Sequence, residues 1–281
     1  FERITCAELM GMDLLVHYLI EDVLVEGQPM ILAGPKKVLK TTIMLCMAAA
    51  LVIGRWFLGK FAIPKAVPVV IMTGESGLAT IKETIRRICD AMEIDPTLLQ
   101  DLFICEKLPQ FDSASHMEAL AELIADTGAK VVMVDPAYMC MDGGDAGNLF
   151  VQGASLRGVS EVCMASGASL ILAHHTRKNL TEPYAPPELE DIAWAGFSEF
   201  ARQWLLINRR SKYIPGTGSH KLWLSLGGSA GHGSLWALNV EEGITPDRFW
   251  QAEVVAYEDA KQDAQDSRDR ARAEQQEAQI E

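Results

Sequence analysis

Short runs of almost wholly apolar residues, rich in β-branched side chains, recur along this chain and are separated by stretches of helical spacing. The runs cover residues 29–33, 67–73, 102–105, 130–134 and 169–173. A strand with one wet face alternates apolar and polar residues, so a strand that is apolar at nearly every position must be covered on both faces. The stretches between the runs, residues 41–53, 78–92, 115–127 and 153–166, supply the covering helices. Strand and helix in alternation predict an α/β fold with a parallel sheet and right-handed crossovers. Residues 41–53 are apolar on nearly every side and are predicted to be buried.

The pattern changes beyond residue 203. Residues 204–208, 221–226 and 234–240 alternate as strands do, and the glycine-rich segments 214–219 (IPGTGS) and 227–234 (GGSAGHGS) separate them. They are read as antiparallel hairpins added to the sheet edge. Residues 1–28 form a lead-in helix or strand pair, with Leu14, Leu15, Tyr18 and Leu19 at helical spacing. Residues 29–257 make the main domain. Residues 258–281 carry eight acids and four bases with almost no apolar residue, as a charged tail or linker that offers a surface to a protein partner.

The net charge of −13 is the wrong sign for a protein that coats nucleic acid. The longest apolar run, residues 43–53, falls well short of the roughly 20 residues that span a bilayer, so no membrane segment is expected. None of the six cysteines is placed in a C-x-x-C pair, and most sit among apolar neighbours. They are expected to be reduced core thiols of a cytoplasmic protein rather than zinc ligands.

The chemistry concentrates in Gly34-Pro35-Lys36-Lys37-Val38-Leu39-Lys40-Thr41-Thr42, which follows a strand and opens a helix. Amides at a helix N-terminus point at an anion, and the helix dipole favours negative charge there. Lys40 is placed to reach β and γ phosphates, and the Thr41 hydroxyl to reach Mg²⁺. Gly34, Lys37, Val38, Leu39 and Thr42 complete the nucleotide cradle. One position departs from G-x-x-x-x-G-K-[ST]: Leu39 stands where the second glycine belongs. Asp135 ends an apolar strand, where a carboxylate can hold a metal's water shell, although an Asp before Pro136 is also a common turn former. Glu75, between Gly74 and Gly77, lies just past another strand and can orient an attacking water, or merely serve a helix dipole. His174 and His175 follow the strand 169–173, and one of them can sense the γ phosphate. In a parallel sheet all these strand ends gather on one edge.

With these residues in view, the chain resembles the RecA-like ATPases, most closely the RepA-type hexameric helicase branch, the group labelled AAA_25. The segments that carry the likeness are GPKKVLKTT, VIMTGES, VVMVDP, LILAHHTRK and GFSEFARQW, and it spans roughly residues 25–240. Loops with Leu before the Lys occur in that branch, so Leu39 resembles a subgroup trait. The resemblance implies a RecA-like P-loop core that uses ATP and Mg²⁺. It implies Lys40 and Thr41 as nucleotide ligands, Thr41 and Asp135 at the metal, and Glu75 as the catalytic carboxylate. It implies His175 as sensor and Arg202 as an arginine finger reaching the next subunit of a hexameric ring, with Arg209 and Arg210 as competing fingers. It further implies that loops 139–152 and 176–194 face a channel for single-stranded DNA.

Those loops are poor in the bases and aromatics that grip a single strand. The first holds Asp142 and Asp145 and no base; the second sets Arg177 and Lys178 against Glu182, Glu188, Glu190 and Asp191. Two functions therefore stand: a ring-forming, helicase-like ATPase motor of DNA replication or mobile-element maintenance, and a nucleotide-gated regulatory or assembly ATPase that does not unwind DNA. A relic loop that no longer binds nucleotide has only Leu39 in its favour.

Overall fold

The computed structural model of this chain describes residues 3–141, 149–177 and 184–262. In chain order its elements are α1 (Cys6–Gly11), the strands β1 (Tyr18–Ile20), β2 (Leu24–Val25) and β3 (Met30–Gly34), then α2 (Lys40–Ile53). Next come β4 (Val69–Thr73), α3 (Leu78–Met92), β5 (Leu102–Cys105), α4 (Ala114–Thr127) and β6 (Val131–Asp135). They are followed by α5 (Leu149–Ala165), β7 (Ser169–His175), α6 (Ala195–Phe200), β8 (Gln203–Arg209), β9 (Ser219–Gly228), β10 (Gly233–Glu241) and β11 (Gln251–Ala256).

Nine strands form one sheet in the order β11-β10-β9-β8-β3-β7-β6-β4-β5. The six from β8 to β5 run parallel, and β9, β10 and β11 extend the sheet in antiparallel fashion. The expected parallel α/β core with an antiparallel extension is present. One detail differs: β8, read from sequence as part of the hairpins, lies parallel to β3 and joins the extension only through its other edge. β8 is apolar on both faces, which suits a central strand rather than a half-wet one.

Alternation along the central strands divides the core in two. Met30 and Leu32 pack with α2 and with Ile81 and Ile88 of α3 on one face. Ile31 and Ala33 pack with Leu120 and Ile124 of α4 and with Leu156 and Val159 of α5 on the other. α2 is buried at eleven of its fourteen positions, as its lack of a polar face requires. It stops at Gly54, whose φ of 73° supplies the left-handed C-cap.

The lead-in departs from its helical spacing. Leu14 and Leu15 are exposed and non-helical, whereas Leu19 is buried beside Ile20 in the β1–β2 hairpin. Arg87 of α3 is 2% exposed and pairs with Glu83 and Glu242. β11 was not legible: its residues are exposed or half-buried, as befits an edge strand. The tail 258–281 lies outside the described residues from 263 onward. Within the described part, Ala260 is buried against Trp223 and Ala237. Among the described residues the cysteines are unpaired, and no helix is long and apolar enough to cross a membrane.

Gln203 ties the hairpin to the sheet. Fully buried, it accepts from the Val25 N–H at 2.8 Å and donates to the Val25 and Gln28 carbonyls at 3.0 and 2.8 Å. Gln203→Leu fills the same space but leaves three backbone groups unpaired, two of them buried, a loss expected at about 3 kcal/mol. Urea unfolding should show a lower midpoint at unchanged slope, and a loss below about 1 kcal/mol would contradict this role.

Candidate functional site

The parallel register brings the strand ends to a common edge. Gly34 at the end of β3 lies opposite His175 at the end of β7, and Thr73 at the end of β4 lies opposite Asp135 at the end of β6. The chain between β3 and α2 is a tight loop. Val38 points into the core and is fully buried, which fixes the loop's middle. Lys37 and Leu39 take positive φ values of 60° and 65°. A side chain at Gly34 would collide with the Ile207 carbonyl at 2.6 Å, so β8 and the loop approach too closely for any Cβ. The guanidinium of Arg209, at the end of β8, donates to the Lys36 and Lys37 carbonyls at 3.1 and 2.8 Å. α2 then opens without a side-chain cap, leaving its first amides for another acceptor.

Lys40 begins that helix and is 8% exposed. Its ammonium donates to the Gly34 and Pro35 carbonyls at 3.0 and 2.9 Å and lies 3.2 Å from His175 Nδ1. Burial is the main reason its pKa drops to about 8, with Asp135 and Glu75 acting in the opposite sense. The Thr41 hydroxyl donates to Asp135 Oδ2 at 2.5 Å. Burial raises the Asp135 pKa, against the lowering effect of that hydroxyl and of Lys40. Glu75 accepts from the Tyr138 hydroxyl at 2.6 Å, and the Tyr138 ring lies 5.7 Å from the ring of His175.

The two histidines separate cleanly. His174 is 2% exposed, stacks on Phe197 at 3.9 Å, touches the Ala193 carbonyl at 3.0 Å, and has its pKa lowered by burial to about 3. It is a packed neutral residue. His175 faces Lys40, and burial first, then the Lys40 charge, lowers its pKa. It stays neutral near pH 7 and can pass a hydrogen bond without changing charge.

The donors present suit a hard cation. The Thr41 hydroxyl and the Asp135 carboxylate meet, and the buried Thr73 hydroxyl beside Asp135 has no protein partner. All are oxygens, and two or three of them match a metal that keeps its waters and borrows phosphate oxygens, as Mg²⁺ does. Among the described residues no group of three or more His, Cys, Asp and Glu is gathered as a self-sufficient metal cage.

The remaining sequence-derived residues lie elsewhere. Thr42 sits in the first turn of α2, and Lys37 is an exposed loop residue. Arg202 is exposed and immediately precedes β8, at the sheet edge opposite the loop, so it does not belong to this chain's own phosphate site. Arg209 is committed to the loop of its own chain, and Arg210 turns to Asn239 and the Trp223 ring. Asp142, Asp145, Lys178 and Glu182 lie outside the described residues. Sequence reasoning missed Tyr138 and the Arg209 clasp. An arginine at a strand end and a tyrosine three residues past Asp135 carry no spacing signal of their own, and only the register reveals them.

A family model described as AAA domain matches residues 15–180, more than half of the chain. No curated protein matches it.

Leu39 offers a local test. A branched side chain in the left-handed region costs roughly 1–2 kcal/mol, whereas glycine adopts it freely. Leu39 also packs against the core, worth about 1 kcal/mol at its half-buried position. Leu39→Gly should therefore shift stability by no more than about 1 kcal/mol and keep ATP affinity, while the β-branched Leu39→Val should lose several-fold in affinity. Thermal unfolding and ATP titration of both variants check this. Equal affinity in the valine variant would mean that the loop does not need this backbone.

Proposed function

The chain belongs to the AAA domain family, of the P-loop ATPase class, and from that premise we propose that it hydrolyses ATP with Mg²⁺ at a site completed by a second copy in a hexameric ring, and that turnover drives movement along single-stranded DNA. The observation that carries this reading is the meeting of Lys40, Thr41, Asp135 and His175 at one sheet edge, around an uncapped helix N-terminus.

Each group has a task set by its placement. The α2 amides and the Lys40 ammonium offset phosphate charge. Thr41 and Asp135 would hold Mg²⁺, which when bound neutralises charge on the β and γ oxygens. Glu75, exposed past β4, accepts a hydrogen bond from the attacking water and orients it. His175, neutral and bonded to Lys40, registers what Lys40 holds and adjoins the segment after β7. Arg202 would come from the neighbouring copy, since its own phosphate site is at the opposite sheet edge; such a finger is worth about 10³–10⁵ in rate.

A second reading has its own support. The net charge is −13, and the segments after Asp135 and His175 carry more acids than bases. An ATPase that switches or assembles, without unwinding DNA, fits that charge.

Glu75→Gln should bind MgATP within about threefold of the parent and lose at least about 100-fold in turnover. Turnover per subunit should rise with protein concentration across the range in which copies associate. The motor reading expects single-stranded DNA to raise the rate; a rate indifferent to DNA, with concentration dependence retained, selects the switch. Full turnover in Glu75→Gln would remove Glu75 from the mechanism.

A further inference from the structure

The Glu75 carboxylate stands at the end of a flexible side chain in a glycine-flanked, exposed segment. Its backbone is fixed: the Gly74 N–H donates to the Asp135 carbonyl at 3.0 Å, and a Cβ at Gly74 would meet Leu108 at 2.5 Å. Its side chain has one hydrogen-bond partner among the described residues, the Tyr138 hydroxyl. A water-orienting carboxylate needs a fixed direction, and a side chain free to rotate would lose it.

Tyr138 is well placed to supply that direction. It lies on the short 3-10 turn Ala137–Cys140, directly after β6 and its terminal Asp135. Ala137 and Cys140, on either side of it, are fully buried. The turn is also tied to the segment before α4, through Phe111 N–H to the Cys140 carbonyl at 2.8 Å and Gln110 Nε2 to the Met139 carbonyl at 3.1 Å. The Tyr138 ring is only half-buried and projects between Glu75 and His175.

We propose that Tyr138 is a positioning residue for Glu75: its hydroxyl fixes one carboxylate oxygen, leaves the other to accept from water, and so makes the aim of Glu75 depend on where the turn after Asp135 stands. The proposal rests on the reading of Glu75 as the water-orienting carboxylate. The hydroxyl is a dependable donor, since the bond to Glu75 pushes the Tyr138 pKa up to about 12 and it keeps its proton throughout the working range. A shift of the turn Ala137–Cys140 would release Glu75 and lower turnover.

The test uses MgATP turnover by the whole chain, in Tyr138→Phe, Glu75→Gln and the double variant. Tyr138→Phe keeps the ring and removes only the hydroxyl. It should lower kcat about fivefold or more and leave KM for ATP within about twofold. In the Glu75→Gln background the same change should have no further effect on kcat. A merely structural role for Tyr138 would lower the unfolding midpoint and act equally in both backgrounds, and that outcome overturns the proposal. An unchanged kcat in Tyr138→Phe, with Glu75→Gln inactive, overturns it while sparing Glu75. Full turnover in Glu75→Gln overturns both.

Discussion

The site depends on an ammonium group held almost out of water. Lys40 is placed by the first turn of α2 against two carbonyls of its own loop and against His175. A buried cation is costly unless it is paired, and here the cost appears as a pKa lowered to about 8. A polyanion brought to the same edge removes that cost. The loop is thus less a passive cradle than a cation held by neutral groups, with Asp135 and Glu75 near enough to moderate it.

Everything around Lys40 serves to hold that geometry. The fully buried Val38 pins the loop to the core, and Arg209 clasps its two exposed carbonyls from β8. Because β8 also pairs with β9, the antiparallel extension is joined mechanically to the loop. On the other side, Thr73 pairs with Asp135 and Gly34 with His175, so four strand ends reach the same edge of the sheet. Tyr138 then bridges two of the segments that leave this edge, between Glu75 and the ring of His175. Glu75, Tyr138, His175 and Lys40 are therefore linked by successive contacts.

Much of this was legible in the sequence, for identifiable reasons. Strands buried on both faces announce themselves as unbroken apolar runs, and β3, β4, β6 and β7 all do so. The loop is legible because glycine, lysine and threonine at fixed spacing have few other uses. Leu39 is the instructive departure: the backbone still adopts the left-handed conformation that a glycine would take there. What stayed hidden depends on register or on weak patterning. β11 is an edge strand with half-buried residues, Gln203 reads as an ordinary polar residue until its three bonds are seen, and Tyr138 reads as part of a turn. The residues alone left His174 and His175 open, the resemblance implied His175, and in the structure Phe197 packs against His174.

The central claim is that Lys40 meets the phosphates. Nucleotide should raise the Lys40 pKa from its value of about 8, so binding above that pH must draw a proton onto the amine. Calorimetry of MgATP binding at pH 9, in buffers of different ionisation enthalpy, measures this uptake directly. The account predicts uptake of close to one proton at pH 9, little at pH 7, an affinity about tenfold weaker at the higher pH, and none of these in Lys40→Ala. Proton exchange that is the same at both pH values, with Lys40→Ala binding as the parent does, would contradict it.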